Sequence, residues 1–535
     1  MTRPTVRLVD TSTRDGNQSL WGAAGLTTGM VEALGPDLEA AGFAALDFTS
    51  STHLSVGVRW HREDPWERIR RMRRVVPTTP LSLITTGMRF MSWDRTPASL
   101  MRMSLRALAE AGVRRIQIAE PMNDTAAACA VAAMAKQEGI EQVVAALTFT
   151  VSPVHDDSLY AACAKTFALD PHVDAVYLKD PGGLLTPGRT ERLISEILPA
   201  LGPVPLELHS HCTTGLAPLV YVTAARLGVP VLHTALGALA NGTSQPSATR
   251  LIENLDAVGI DVDVDVEALR RAERIVATIA ASQGLEPGRP TELDLTYRRH
   301  QIPGGMMGTL RRQLAEIRRP ELLAPVLDEV AVVRAELGYP IMVTPYSQFV
   351  GTQAVMNVLA ETAGQARWSR LPDEVLRYVL GHFGTPPAPI DPLVRERAAA
   401  SPRTRELDVP LRDPDVEEVR SGVYVSVGRR VPDPEVVLRS VLPADQLDAV
   451  ARAGTAPGWD PACPSGVRTA ADFVTAVTRL PNWRSVDVVL GAERVRLRRA
   501  PATDPAGATD HAGPTDLAGA TDPTGTGAAA GTAEP

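Results

Sequence analysis

Residues 6–18 read Val-Arg-Leu-Val-Asp-Thr-Ser-Thr-Arg-Asp-Gly-Asn-Gln. The first five form a short β-branched and aliphatic run, a strand, and the polar stretch behind it is a loop rich in groups that do chemistry. An open doubly wound sheet would carry its Gly-rich phosphate fingerprint at this turn, and the loop contains no GxGxxG. Seven further runs of strand type follow, at 44–48, 81–86, 115–119, 143–150, 175–179, 204–209 and 231–235, separated by alanine-rich or amphipathic helical segments. Each interval has room for one strand, one helix and two loops. Eight such repeats are what a closed parallel barrel requires, so the fold class is α/β with a (β/α)8 barrel.

Outward from the barrel the texture changes. After about residue 300 helix-like stretches at 308–317, 321–337 and 352–364 are punctuated by proline-rich turns, which predicts a mainly helical second domain. Residues 466–498 give a helix signal and then two short strand-like runs. Residues 501–535 hold five acidic residues, no Lys or Arg and Leu517 as their one large aliphatic, and Thr-Asp recurs there every six residues. Such a segment buries too little apolar surface to offset its ordering entropy and is expected to be a disordered tail. The expected division is therefore 1–300 catalytic barrel, 301–460 helical domain, 461–500 small extension and 501–535 tail.

With 535 residues, 44% hydrophobic and 22% charged, the chain is long enough to bury a core without a disulfide or metal staple. A net charge of −8 argues against nucleic acid or an anionic membrane as partner. The first residues run straight into strand one with no apolar signal segment, and no run of about 18 apolar residues occurs, so a cytoplasmic protein is expected. Cys129, Cys163, Cys212 and Cys463 lack any CxxC pairing, which points to reduced thiols. Lysine occurs three times, at Lys136, Lys165 and Lys179, while arginine supplies every other basic side chain. Nothing in this sequence beyond Lys179 can be biotinylated.

In a β/α barrel the working residues stand at the C-terminal ends of strands. Here strand one ends in Asp10, strand six in Lys179 and strand seven in His209-Ser-His211. His209 and His211, two apart in an extended segment, share a face. With Asp10 from a distant strand they form a candidate divalent-metal site. Lys179 has two readings. A buried, neutral lysine can take up carbon dioxide and become an anionic carbamate ligand, or the ammonium can pair with Asp180.

The motifs Asp10-Thr-Ser-Thr-Arg-Asp-Gly-Asn-Gln18, Glu63-Asp-Pro-Trp-Glu-Arg68, Leu178-Lys-Asp-Pro-Gly-Gly-Leu-Leu-Thr-Pro187, His209-Ser-His-Cys-Thr-Thr-Gly215, Gly242-Thr-Ser-Gln-Pro246, Gln301-Ile-Pro-Gly-Gly-Met306 and Thr344-Pro-Tyr-Ser-Gln-Phe-Val-Gly-Thr-Gln-Ala354 resemble, in order, the biotin-dependent carboxyltransferase family. That family includes the carboxyltransferase domain of pyruvate carboxylase, the alpha subunit of oxaloacetate decarboxylase and the metal-containing subunit of transcarboxylase. The resemblance implies a TIM barrel followed by a helical funnel domain, usually in homodimers. It implies Zn, Mn or Co held by Asp10, a carbamylated Lys179, His209 and His211, with Arg14 and Gln18 near a 2-oxo acid such as pyruvate or oxaloacetate.

Four positions depart from the family pattern. Thr86 stands where relatives carry a substrate-binding arginine, and the candidate replacement, Arg89, lies three residues on, an odd step that on a regular strand faces it away. Ser55 replaces an active-site aspartate, and Trp93 a tyrosine. The hydroxyl that shuttles a proton in relatives falls at Gly308, with Thr309 one residue late. Three functions are compatible with this set. One is a metal-dependent carboxyltransferase or decarboxylase that works through a metal-stabilised enolate, with any biotin on a separate carrier protein. A second is a biotin-independent lyase or condensing enzyme, because Arg14-Asp-Gly-Asn-Gln18 is also similar to the isopropylmalate synthase and hydroxymethylglutaryl lyase branch, although Lys179 argues against that branch. The third is a non-catalytic subunit.

Overall fold

The computed structural model describes residues 3–91, 95–409, 412–461, 485–490 and 493–498. All eight expected strands are present: β1 Thr5–Asp10, β2 Ala45–Ser50, β3 Leu81–Thr85, β4 Arg115–Ile118, β5 Gln142–Thr148, β6 Ala175–Asp180, β7 Leu206–Ser210 and β8 Val231–Thr234. They pair in parallel in sequence order, and β1 bonds to both β8 and β2, which closes the barrel. A two-residue strand, Asp261–Val262, extends the sheet beside the start of β1. Six of the helices behind the strands start on side-chain caps, from Thr27, Asp64, Asp124, Asp156, Thr186 and Ser247, each accepting a backbone N–H of the first turn.

Strand alternation sorts the side chains into two layers. On β6, Val176 and Leu178 join the apolar layer against the helices, while Ala175 and Tyr177 cluster with Ile84, Ala119, Val144 and Ala146 inside the barrel. Lys179 shares the inward parity of Tyr177. On β7, Leu206 and Leu208 belong to the outer layer, so Glu207 and His209 point inward. On β1, Val6 and Leu8 are in the outer layer. Asp10 has their parity and therefore leaves the strand on the side away from the barrel axis.

The helical segment includes Gly304–Glu316, Leu323–Glu336, Tyr346–Thr362 and Asp373–Val379. Its core, with Leu314, Val330, Phe349, Trp368 and Tyr378, takes in Met122 from the loop after β4. Arg334 anchors it to the end of β5, its Nη2 donating to Thr150 Oγ1 at 2.8 Å and Nη1 to Val151 O at 2.9 Å. Met1–Gly466 form one compact unit, so the helices roof the barrel mouth within it. In the second unit, Val467–Pro535, the described residues form an antiparallel hairpin of Ser485–Leu490 and Glu493–Arg498. The expected tail at 501–535 and the helix signal that precedes the hairpin lie outside the described residues. No described helix is long and apolar enough to cross a membrane, and the three described cysteines are free.

Candidate active site

β1 runs into a π-helical turn, Ser12–Gly16, that carries Arg14 and Asp15, and then into the helix Asn17–Trp21. Such turns widen a helix by one residue and recur at functional sites. Here the turn swings Asp15 back over the end of β7. Asp15 Oδ2 stands 2.9 Å from His209 Nε2 and 3.2 Å from His211 Nε2, and the two Nε2 atoms are 3.1 Å apart. Asp15, His209 and His211 are all buried and form a cluster able to hold a metal ion.

This corrects the ligand expected from the sequence. Asp10 is not in the cluster. Its carboxylate accepts from Ser12 Oγ at 2.6 Å and from Ser12 N at 3.2 Å, as its outward parity requires. Burial pushes its pKa up to about 7 despite the Ser12 hydrogen bonds. Asp15 behaves oppositely: burial would raise it, but Arg14 and the two histidines outweigh that and hold it well below the carboxylate range. Arg14 bonds Asp47 through Nε at 2.8 Å and through Nη2, and its Nη1 lies 3.1 Å from Asp15 Oδ1.

Both histidines are held from behind through Nδ1. His211 Nδ1 lies 2.6 Å from Thr243 O, a carbonyl that can only accept, so Nδ1 carries a proton and Nε2 is the atom turned to the cluster. His209 Nδ1 lies 3.2 Å from His233 Nδ1. Burial, and then the Lys179 charge, hold His209 well below its ordinary pKa, so it is neutral. Asp15 Oδ2 and the two histidine Nε2 atoms thus converge on one point. Besides Arg14 and Ser19 on Asp15 Oδ1, Gln245 Nε2 donates to Asp15 Oδ2 at 3.0 Å, oriented because its Oε1 accepts from Thr11 Oγ1 at 2.7 Å. With Arg14 on its Oδ1, Asp15 still turns Oδ2 to the two imidazole Nε2 atoms, and a divalent cation suits that donor set.

Lys179 pairs across the sheet with His209. Among the described residues its Nζ has no hydrogen-bond or ion-pair partner, and it sits 5.8 Å from the Tyr177 ring centroid. The alternative partner is taken: Asp180 accepts from Leu184 N, Leu185 N and Ser210 Oγ at 2.8, 2.9 and 2.8 Å. Burial first, and the Arg14 charge second, lower Lys179 to about 8. An unpaired amine so close to neutrality is a nucleophile for carbon dioxide.

These groups open on a cavity of about 1160 Å³ between the barrel mouth and the helical roof, lined among others by Arg14, Asp15, Gln18, Thr86, Lys179 and His211. Gln18 is exposed to it, and Ser55 also lines it. Arg89 does not. Its Nη1 folds back 3.3 Å from Thr86 O, and its guanidinium covers the Phe383 ring at 5.4 Å. Thr309 lies in the helix Gly304–Glu316 with its side chain outside the described set, and Trp93 is outside it altogether. Two members of the site were not expected from the sequence: Asp15, although it stands inside the Asp10–Gln18 motif, and Gln245 of Gly242-Thr-Ser-Gln-Pro246.

Residues 5–276 match the family described as HMGL-like, and residues 298–457 match a conserved carboxylase domain. A pyruvate carboxylase subunit of Methanocaldococcus jannaschii is 32% identical over 393 residues, 73% of this chain and 68% of the relative. The chain belongs to the biotin-dependent carboxyltransferase family. The methylmalonyl-CoA carboxyltransferase 5S subunit of Propionibacterium freudenreichii subsp. shermanii is 28% identical, covering 80% of this chain and 84% of the relative. The carboxyl transferase domain of Rhizobium etli pyruvate carboxylase shares the fold with a TM-score of 0.76 at 22% identity, over 94% of this chain and 85% of that one. As a carboxyltransferase-family member the chain is an enzyme of the carboxyltransferase and decarboxylase class.

Proposed function

We propose that the chain moves or releases the carboxyl group of a small 2-oxo acid of the pyruvate and oxaloacetate type, with biotin presented on another polypeptide. The observation that carries the reading is the unpaired Lys179 beside the Asp15, His209 and His211 cluster, on the wall of a cavity that Arg14 and Gln18 also line. Asp15, His209, His211 and a carbamylated Lys179 would hold a divalent Zn, Mn or Co ion, whose two anionic and two neutral ligands balance its charge. Bound there, the ion supplies Lewis-acid polarisation of the 2-oxo group. Arg14 keeps two of its five N–H groups after pairing with Asp47 and Asp15, enough for a substrate carboxylate. Gln18, with no side-chain partner among the described residues, is free to orient the substrate. Thr86 stands in place of a cation, and the Arg89 guanidinium folds onto Thr86 O and the Phe383 ring instead of lining the cavity. This favours a different distal contact from the one pyruvate makes in relatives.

No lysine follows Lys179 in this sequence, so biotin would come from outside it, in keeping with relatives that are themselves subunits. A homodimer, on the strength of the family resemblance, and a cytoplasmic location complete the proposal. The test is pyruvate release from oxaloacetate and related 2-oxo dicarboxylates by purified protein, with and without free biotin. Biotin-stimulated release is the expected result, and turnover indifferent to biotin would favour the lyase reading.

A further inference from the structure

Behind His209 the barrel interior is not apolar. Arg115 on β4, Glu207 on β7 and His233 on β8 all point inward and all are buried. Arg115 Nη2 lies 2.5 Å from Glu207 Oε2, and His233 Nε2 lies 2.8 Å from the same oxygen. His233 Nδ1 then faces His209 Nδ1 at 3.2 Å. The Tyr177 ring stacks on His233, with centroids 5.6 Å apart and planes 8° from parallel, and meets His209 edge-on at 6.2 Å. This line runs from the middle of the barrel to the edge of the ion cluster, and the carboxyl-transfer chemistry does not use it.

Its hydrogen-bond directions follow by elimination. Arg115 and Glu207 balance one another, so a charged His233 between them and His209 would be an uncompensated buried cation. A neutral His233 has one N–H. Glu207, ionised by its guanidinium partner, can only accept, and takes that N–H on Nε2. His233 Nδ1 is therefore an acceptor. The proton between the two rings must sit on His209 Nδ1, and His209 Nε2 faces Asp15 with its lone pair free.

We infer that Arg115, Glu207 and His233 form a relay that locks His209 in the one tautomer able to ligate a metal, with His233 as the positioning residue. The inference rests on the metal-centre reading above. Groups that orient a ligating histidine this way commonly contribute about 10- to 100-fold to metal affinity.

The test is the dissociation constant of Co2+ alone, measured by chelator competition on the full chain for wild type, His233→Leu and His233→Asn. Melting of the metal-free proteins reports on folding. Leucine removes the acceptor, whereas the asparagine amide oxygen can stand where Nδ1 stands. Affinity about 10- to 100-fold weaker in His233→Leu, and restored to within a few-fold of wild type in His233→Asn, is the expected result. Equal affinity in wild type and His233→Leu overturns the relay. Equal loss in both variants also overturns it, since the ring would then act only as filler. If wild type binds no Co2+, the metal centre itself falls and the relay with it. Should His233→Leu fail to fold, Glu207→Gln carries the same test. Its amide can donate as well as accept, which releases the tautomer, so weaker Co2+ binding is expected and unchanged binding is contrary.

Discussion

Asp15 sets its Oδ2 2.9 Å from His209 Nε2 at the mouth of the barrel. Asp10, five residues earlier, turns its carboxylate onto Ser12 instead. The two aspartates therefore make opposite predictions. Asp15→Asn removes an anionic donor from the cluster and is expected to lose stoichiometric metal. Asp10→Asn keeps an acceptor for Ser12 and resembles the protonated form that a pKa of about 7 already populates. It is expected to retain metal. Elemental analysis of the two purified variants after equal metal loading checks both.

Lys179 should be modified. A buried amine lowered to about 8 is partly neutral at physiological pH and combines with carbon dioxide, whereas an arginine in its place stays protonated. Incubation with 13C-bicarbonate and divalent metal is expected to give a carbamate resonance in the 13C spectrum of wild type and none for Lys179→Arg. The same resonance in both proteins would assign it to another amine.

Glu120 offers a pH dependence separate from the metal. It is buried at the end of β4 and accepts backbone N–H bonds from Met122 and Asp124, both at 2.8 Å. Burial raises its pKa from 4.5 to about 7, against the pull of those bonds and of Arg89. The folded state thus holds this proton longer than the unfolded chain. Its contribution is full below about pH 4.5, is lost as pH climbs to about 7, and is constant beyond. The whole cost is at most about 3 kcal/mol. Glu120→Gln keeps an acceptor and cannot ionise. Urea unfolding is expected to find the variant more stable than wild type at pH 8.5 and matched to it at pH 4.5.

Gly183 lies under the second histidine. Its φ is +63°, a region costly for side chains, and a Cβ there would meet His211 O at 2.4 Å. Gly183→Ala must move the backbone that carries a cluster member. A loss of about 2 kcal/mol or more in stability is expected, with weakened metal binding, read from denaturation curves and metal titration together.

Much of the architecture could be read from residues. The eight β-branched runs gave the barrel, since each sits a strand, a helix and two loops from the next. Lys179 stood out because arginine replaces lysine nearly everywhere else, and the two-residue spacing of His209 and His211 gave their common side. Asp10 misled because the end of its strand is buried on both faces. Val6, Leu8 and Val9 then carry no mark of which parity faces the axis. Asp15 was hidden for a related reason: it lies in a π-helical turn, where strand alternation does not apply. Gln245, Glu207 and His233 could not be found from spacing, because their roles depend on which strands close on one another across the barrel.

The central claim is that carboxyl chemistry on a 2-oxo acid depends on Lys179 at this centre. Pyruvate release from oxaloacetate, with free biotin present, measured side by side for metal-loaded wild type and Lys179→Ala, tests it most directly. The account predicts a fall of about 100-fold or more on loss of the side chain. Equal rates in the two proteins would contradict it.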